Sequence, residues 1–263
     1  MMSSPIPGRR SRRPHRAGAS VGVAAAILTA VVAAPVAATT SRGEFPAVPV
    51  TSCQTTFGGD QASAPRIADQ LPLAATTKTA ARVAFYSDGF VTLLGPRGWS
   101  CHGVEAADGG RSLSVFPPGQ TDPLLGDHLG AGASGVTAIV EYTGHGPGAQ
   151  LVCGLFPHTA AADLARGIAS CPAPPSREQL ERPTPDVVVF RDPPGVTGSG
   201  APSGGHNPAT GLVNFPQLRP EPSSVPVAKE TCTLPSSTGG LCGPIVADFL
   251  TRSLPAVPSS TGG

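Results

Sequence analysis

The sequence predicts an α+β fold: an antiparallel β-sheet meander with two or three packed helices, stabilised by disulfides. Three observations predict it. Short β-prone apolar runs alternate with Asp-Gly and Gly-Pro punctuation, apolar residues recur at helical spacing in two places, and six cysteines form an even set.

Residues 39–80, rich in Ala, Thr and Pro with little periodicity, read as an extended lead-in tethered at Cys53. Beyond them, apolar runs at 83–86, 90–94, 99–101 and 113–116 are separated by Ser87-Asp88-Gly89, Gly95-Pro96-Arg97-Gly98 and Asp108-Gly109-Gly110. Glycine takes positive φ without steric cost, so these are turn signals and the stretch reads as a three- or four-stranded antiparallel meander. Residues 117–135 form a long glycine- and proline-rich loop. The runs 136–142 and 150–156 flank Gly144-His145-Gly146-Pro147-Gly148 as another hairpin. Thr159 caps a helix to about Ser170 with Ala161, Leu164 and Ile168 on one face, and Ser176 with Gln179 makes a capping box for a short helix. The Val-rich run 186–191 is a buried strand, 197–208 a second glycine-rich loop, and 211–215 and 227–234 further strands. Pro244 opens a last helix in which Ile245 faces Phe249, Val246 faces Leu250 and Asp248 pairs with Arg252. The division is therefore a signal peptide at 1–38, the lead-in at 39–80, a globular α+β domain at 81–255 and a flexible tail at 256–263. Two subdomains meeting near residue 172 are the alternative.

The N-terminal segment carries Arg9, Arg10, Arg12, Arg13 and Arg16 with no acid, then an uncharged run from Ala17 through Ala38. A basic region, an apolar region and small residues at Val36 and Ala38 make a signal-peptide pattern with processing near Thr39. An uncleaved membrane anchor is the alternative, since 22 uncharged residues can just span a bilayer. Arg12-Arg13 invites a twin-arginine reading, against which Pro14 and His15 stand where apolar residues belong. Without those five arginines, 13 basic residues face 17 acidic ones, a net charge of −4. That balance excludes the positive stripe nucleic acid requires, and the mature chain is expected to have no membrane span. A cell-envelope or extracellular partner fits this setting.

Cys53, Cys101, Cys153, Cys171, Cys232 and Cys242 all follow the signal, so outside the cytosol they read as three disulfides. The neighbour scheme Cys53–Cys101, Cys153–Cys171 and Cys232–Cys242 is expected, because the last two pairs close short segments between a strand and a helix. No Cys-x-x-Cys occurs, and a metal site is not expected. Val50-Thr51-Ser52-Cys53 loosely resembles a lipidation box, but Arg42 and Glu44 separate it from the apolar run and lipidation would leave five cysteines.

Several blocks carry a family resemblance: 94–101 (LGPRGWSC), 190–196 (FRDPPGV), Ser203-Gly204-Gly205, and 230–235 (ETCTLP) with Cys242 and Asp248-Phe249. They resemble uncharacterised secreted proteins of actinobacteria, across most of the mature chain. The resemblance implies a shared secreted fold and carries no activity, cofactor or catalytic residue.

The sharpest enzymatic idea is a serine hydrolase. Pro202-Ser203-Gly204-Gly205 resembles the nucleophile segment of chymotrypsin-like peptidases, with His102 beside Cys101 as the base. Pro202 stands where that family has Asp, the His-Cys order is reversed, and no Gly-x-Ser-x-Gly elbow exists. His102, His128, His145, His158 and His206 are scattered without His-x-His or His-Glu-x-x-His, which suits surface or capping roles. Trp99 reads as packing on a disulfide, and Asp192 as a turn residue or an acid in a cleft. Glycine-rich 197–205 lacks a Gly-Lys-Ser/Thr ending, so no phosphate loop or cofactor is expected. The functional expectation is a secreted or envelope-associated non-enzymatic binding or structural module, with a hydrolase using Ser203 and His102 as the alternative.

Overall fold

Strand β5 (Val83–Ser87) is buried at all five positions, and its β-branched and aromatic residues suit a strand covered on both faces. In the computed structural model it pairs antiparallel with β6 (Thr92–Pro96), Phe85 facing Leu94. On its other side it runs parallel to β1 (Ala47–Ser52), which pairs antiparallel with β4 (Gln70–Pro72), giving a four-stranded mixed sheet β4-β1-β5-β6. The β5–β6 turn is made by Asp88, whose Oδ1 accepts the amides of Phe90 at 2.9 Å and Val91 at 2.7 Å while Gly89 takes φ 90°. The structure describes residues 45–57, 60–62, 66–120, 122, 133–142, 151–152, 154–156, 176–200, 205–215, 226–238 and 240–253.

The second sheet has nine strands: β2 (Gln54–Phe57), β3 (Asp60–Ala62), β7 (Ser100–Glu105), β8 (Arg111–Phe116), β9 (Gly135–Tyr142), β10 (Gln179–Thr184), β11 (Val187–Asp192), β12 (Ala209–Asn214) and β13 (Pro226–Thr233). Their order is β10-β11-β12-β13-β9-β8-β7-β2-β3, and every neighbouring pair is antiparallel except β2 with β7. Two helices of the described residues pack on these sheets: the single turn α1 (Thr77–Ala80), capped by Thr76, beside β5 of the four-stranded sheet, and α2 (Cys242–Ser253) against β12, β13 and β6.

Alternation along β11 to β13 sorts the side chains between two cores. Leu212, Ala228 and Cys232 face α2 and the four-stranded sheet, together with Leu113, Val115, Val136 and Ala138 from β8 and β9. From α2, Ile245, Val246 and Phe249 complete this core, as the helical spacing requires. On the opposite face Val188, Phe190, Val213 and Val227 pack with Val152, Leu155 and Phe156. Phe156 meets Phe215 edge-on at 5.5 Å between ring centroids.

Two disulfides fasten this arrangement. Cys53 sits where the chain leaves β1 in one sheet and enters β2 in the other, and it bonds to Cys101 of β7. Cys232 of β13 bonds to Cys242 at the start of α2. Both follow the expected pairing; Cys153 and Cys171 lie outside the described residues.

The structure corrects the α+β reading: the protein is mostly β, in one four-stranded and one nine-stranded sheet, and the α-helices α1 and α2 of the described residues are short. The meander is also split, because β5–β6 and β7–β8 are hairpins of different sheets. The lead-in holds four strands, whose shortness, prolines and parallel pairings hide them from a periodicity argument. The capping box at Ser176 opens strand β10 instead of a helix, since Leu180-Glu181-Arg182-Pro183 offers no apolar helical face and Pro183 is tolerated on the outer edge of the sheet. Residues 151 and 152 are helical where the second strand of a hairpin was expected. The helix expected over 159–170 lies outside the described residues.

Candidate functional site

His102 stands in mid-strand on β7, on the sheet face opposite the main core. Its Nδ1 lies 2.5 Å from Asp122 Oδ2 and its Nε2 2.7 Å from Thr56 Oγ1 of β2. A carboxylate only accepts, so Asp122 fixes the proton on Nδ1 and leaves the Nε2 lone pair of the neutral ring for the Thr56 hydroxyl. The second oxygen of Asp122 accepts from Ser114 Oγ at 2.6 Å; Ser114 is the residue directly across from His102 on β8. Asp122 is 4 % exposed and the imidazole 15 %. The chain following β8 is thereby pinned onto the sheet at Asp122.

This is the acid–histidine–hydroxyl order of a hydrolase, with Thr56 in the nucleophile position. The surrounding backbone argues for a fastening role. Thr56 is ladder-paired on both sides, with Gln61 of β3 and Val104 of β7, so its strand amides are engaged and do not form a donor pair for a developing oxyanion. Its β-branched side chain also has a stiff χ1.

A second polar cluster holds the loop after β11. Lys229 Nζ donates to the Ser199 carbonyl at 2.6 Å, the Ser199 amide donates to Glu178 Oε1 at 2.7 Å, and the Gly200 amide donates to buried Asp192 at 2.7 Å. Burial lowers the Lys229 amine from its ordinary range, opposed by the charges of Asp192 and Glu178. Asp192 is therefore a loop anchor.

Where the two sheets diverge, a cleft of about 500 Å³ opens between them. Leu71, Phe90 and Val91 line it from the four-stranded side, Val140 and Ala228 from the nine-stranded side, and Phe249 and Arg252 from α2. Arg252 donates from Nε to Asp248 at 2.8 Å and from Nη2 to the Pro72 carbonyl at 2.7 Å, and its Cζ lies 4.3 Å from the centroid of the Phe85 ring. Another cleft of about 500 Å³ lies along α2 against β11 and β12, lined by Val189, Leu212, Val246 and Leu250. Beneath α2, Glu230 of β13 is 0 % exposed and neither carboxylate oxygen has a hydrogen-bond partner among the described residues. Burial, reinforced by the nearby Asp248 charge, holds the Glu230 carboxyl well above the ordinary glutamate range. Burial raises Asp248 as well, against the opposing pull of Arg252.

Of the sequence-derived candidates, His102 acquires an acid and a hydroxyl, neither of them anticipated, while Ser203 lies outside the described residues. Thr56 and Asp122 carry no local motif; the β2–β7 pairing brings Thr56 to His102, and the chain following β8 brings Asp122. Trp99 is half-buried against the main core beside Cys101. Among the described residues no three His, Cys, Asp or Glu side chains gather as a metal site, and no helix is long and apolar enough to cross a membrane. No family model matches the sequence, and no curated protein or solved structure matches it.

Proposed function

We propose that the chain is an exported, disulfide-stapled β protein that acts by binding, and that its intersheet cleft takes a small acyl or aryl carboxylate. The arginine-rich leader with its charge-free run, and the two disulfides, support the extracytoplasmic setting. One observation carries the ligand class: a largely apolar cleft of about 500 Å³, within the range that holds small ligands, with the Arg252 guanidinium in its wall. Arg252 uses Nε and Nη2 internally, and its fork geometry leaves donors for a carboxylate. Decanoate serves as the probe. Titration calorimetry is expected to give saturable one-to-one binding, weakened at least about tenfold in Arg252→Gln, which removes a charge-assisted pair. It should be abolished in Ala228→Leu, which fills the cleft; equal affinity in all three proteins would refute the reading.

A hydrolase is the second reading, favoured by the Asp122–His102–Thr56 geometry. Thr56 would add its Oγ1 to an acyl carbon as His102 Nε2 takes the hydroxyl proton, the carbonyl oxygen would carry the negative charge, and re-forming the carbonyl would expel the leaving group with that proton; the Ser203 of the sequence reading is the other nucleophile considered. Binding as the primary role predicts that a phosphonate directed at nucleophilic hydroxyls leaves the oxidised protein unmodified by intact mass. Stoichiometric labelling of Thr56 or Ser203, lost in His102→Ala, would reverse the order of the two readings.

A further inference from the structure

We propose that α2 is a pH-released latch on the intersheet cleft, seated while the Glu230 carboxyl holds its proton and loosened when that carboxyl ionises. The geometry that supports it is a wedge with slack on both flanks. Helix α2 lies between the two clefts of about 500 Å³ and contributes Phe249 and Arg252 to the wall of the first. Its first residue is tied to β13 by Cys232–Cys242, while its C-terminal part is held by Phe249 in the main core, by Arg252 over the Phe85 ring of β5 and by the bond from Arg252 to Pro72 of β4. Movement about the disulfide end would change the cleft wall without unfolding the sheets.

Glu230 is the group under the wedge, and its surroundings offer an anion nothing. Its cross-strand neighbours are Leu212 on β12 and Ala138 on β9. From α2 it faces Asp248, a second acid, whose salt bridge with Arg252 is already made. Strand β6, which also packs on α2, contributes Thr92 to Pro96 with no ionisable side chain, and the adjacent Lys229 points to the opposite face, toward Phe190 and Ser199. A charge formed at Glu230 therefore has no cation or donor among the described residues in the closed arrangement, and movement of α2 away from β13 would open it to water.

The sign follows from linkage. With its carboxyl raised by burial and by Asp248, the closed state keeps the proton after a solvated glutamate has lost it. Closed α2 thus binds more protons than released α2, and its stability is complete below the ordinary glutamate range and lost as pH climbs through the raised value. Asp248, also raised, acts in the same direction.

The consequence for ligand access rests on the binding reading above; the motion itself does not, and is measured without ligand. Amide exchange by mass spectrometry on the oxidised protein, corrected for the intrinsic rate, is followed from pH 5.5 to 8.5. Protection of α2 is expected to fall at least tenfold over this range while β5 stays constant, and most of that fall is expected to be lost in Glu230→Gln, leaving the smaller part that Asp248 contributes. Asp248→Asn, which removes the neighbouring charge, is expected to reduce the fall and supplies the test if the glutamine variant does not fold. Constant α2 protection in the parent protein, or the same fall in both variants, would overturn the latch. A latch that responds while decanoate fails to bind would leave the pH device standing and remove only the ligand.

Discussion

Replacing both Cys53 and Cys101 by serine is expected to lower the unfolding free energy by about 4 kcal/mol. The chain-entropy relation gives that figure for a loop with ends 48 residues apart in sequence. The bond also holds the point where the chain crosses between the sheets. Cys53 donates its amide to Ser87 of β5 at 2.8 Å, so one residue ties the end of the four-stranded sheet to β7 of the other. Urea unfolding of the double variant should show a lower midpoint, and exchange should rise first in β2 and β3 at the sheet edge. A loss below about 1 kcal/mol would contradict this assignment, because the crossing would then be held by packing alone.

Gly211→Ala is the most damaging methyl that can be added to the described core, at about 3 kcal/mol. Gly211 lies directly across from Phe190 of β11 and Thr231 of β13. A Cβ there would fall within the van der Waals radii of the Glu230 carbonyl oxygen and the Phe190 ring. The first obstacle is backbone of the adjacent strand and cannot rotate away. The second is a fully buried ring that occupies the space the glycine leaves open. Gly243→Ala is the contrast: no atom lies within 4 Å of its added methyl, and alanine in a helix is worth up to about 1 kcal/mol over glycine. Denaturation midpoints should therefore move in opposite directions for the two substitutions, and a Gly211→Ala protein as stable as its parent would be incompatible with the β11–β12–β13 register.

The parts of the fold legible in the sequence are those with strong local chemistry. Asp88-Gly89 and Asp108-Gly109 mark real turns, with Gly89 at φ 90° and Gly109 at φ 87°. The run VVVF at 187–190 is a central strand, and the spacing of Ile245, Phe249 and Asp248 gives α2 with its 2.8 Å pair to Arg252. What could not be read is non-local. The parallel pairing of Thr56 with Val104 unites residues 48 apart and leaves no periodic trace in QTTF, a four-residue strand. The division of β5–β6 and β7–β8 between two sheets depends on the crossing at Cys53, which turn residues do not encode. The candidate site is subject to the same limit. His102 stands out in the sequence by its place beside Cys101, while its partners Asp122 and Thr56 come from the glycine- and proline-rich segment after β8 and from the short strand β2. Glu230 shares a face with Ala228, Cys232 and Leu234 by strand alternation, but its charge argues for solvent, and only the packing of α2 over that face shows the carboxyl to be buried.

On the binding reading proposed above, ligand occupies the space between the sheets, walled on one side by α2. The most direct test of that placement is the location of bound decanoate by amide chemical-shift perturbation in isotopically labelled, oxidised protein. Saturable shifts are expected around Leu71, Phe90–Thr92, Ala228 and Phe249, with the Arg252 side chain among the largest, and none at His102 or Thr56. Saturating decanoate that moved the His102 and Thr56 signals while leaving Ala228 and Phe249 unchanged would contradict that placement, and would place function on the opposite face of the nine-stranded sheet.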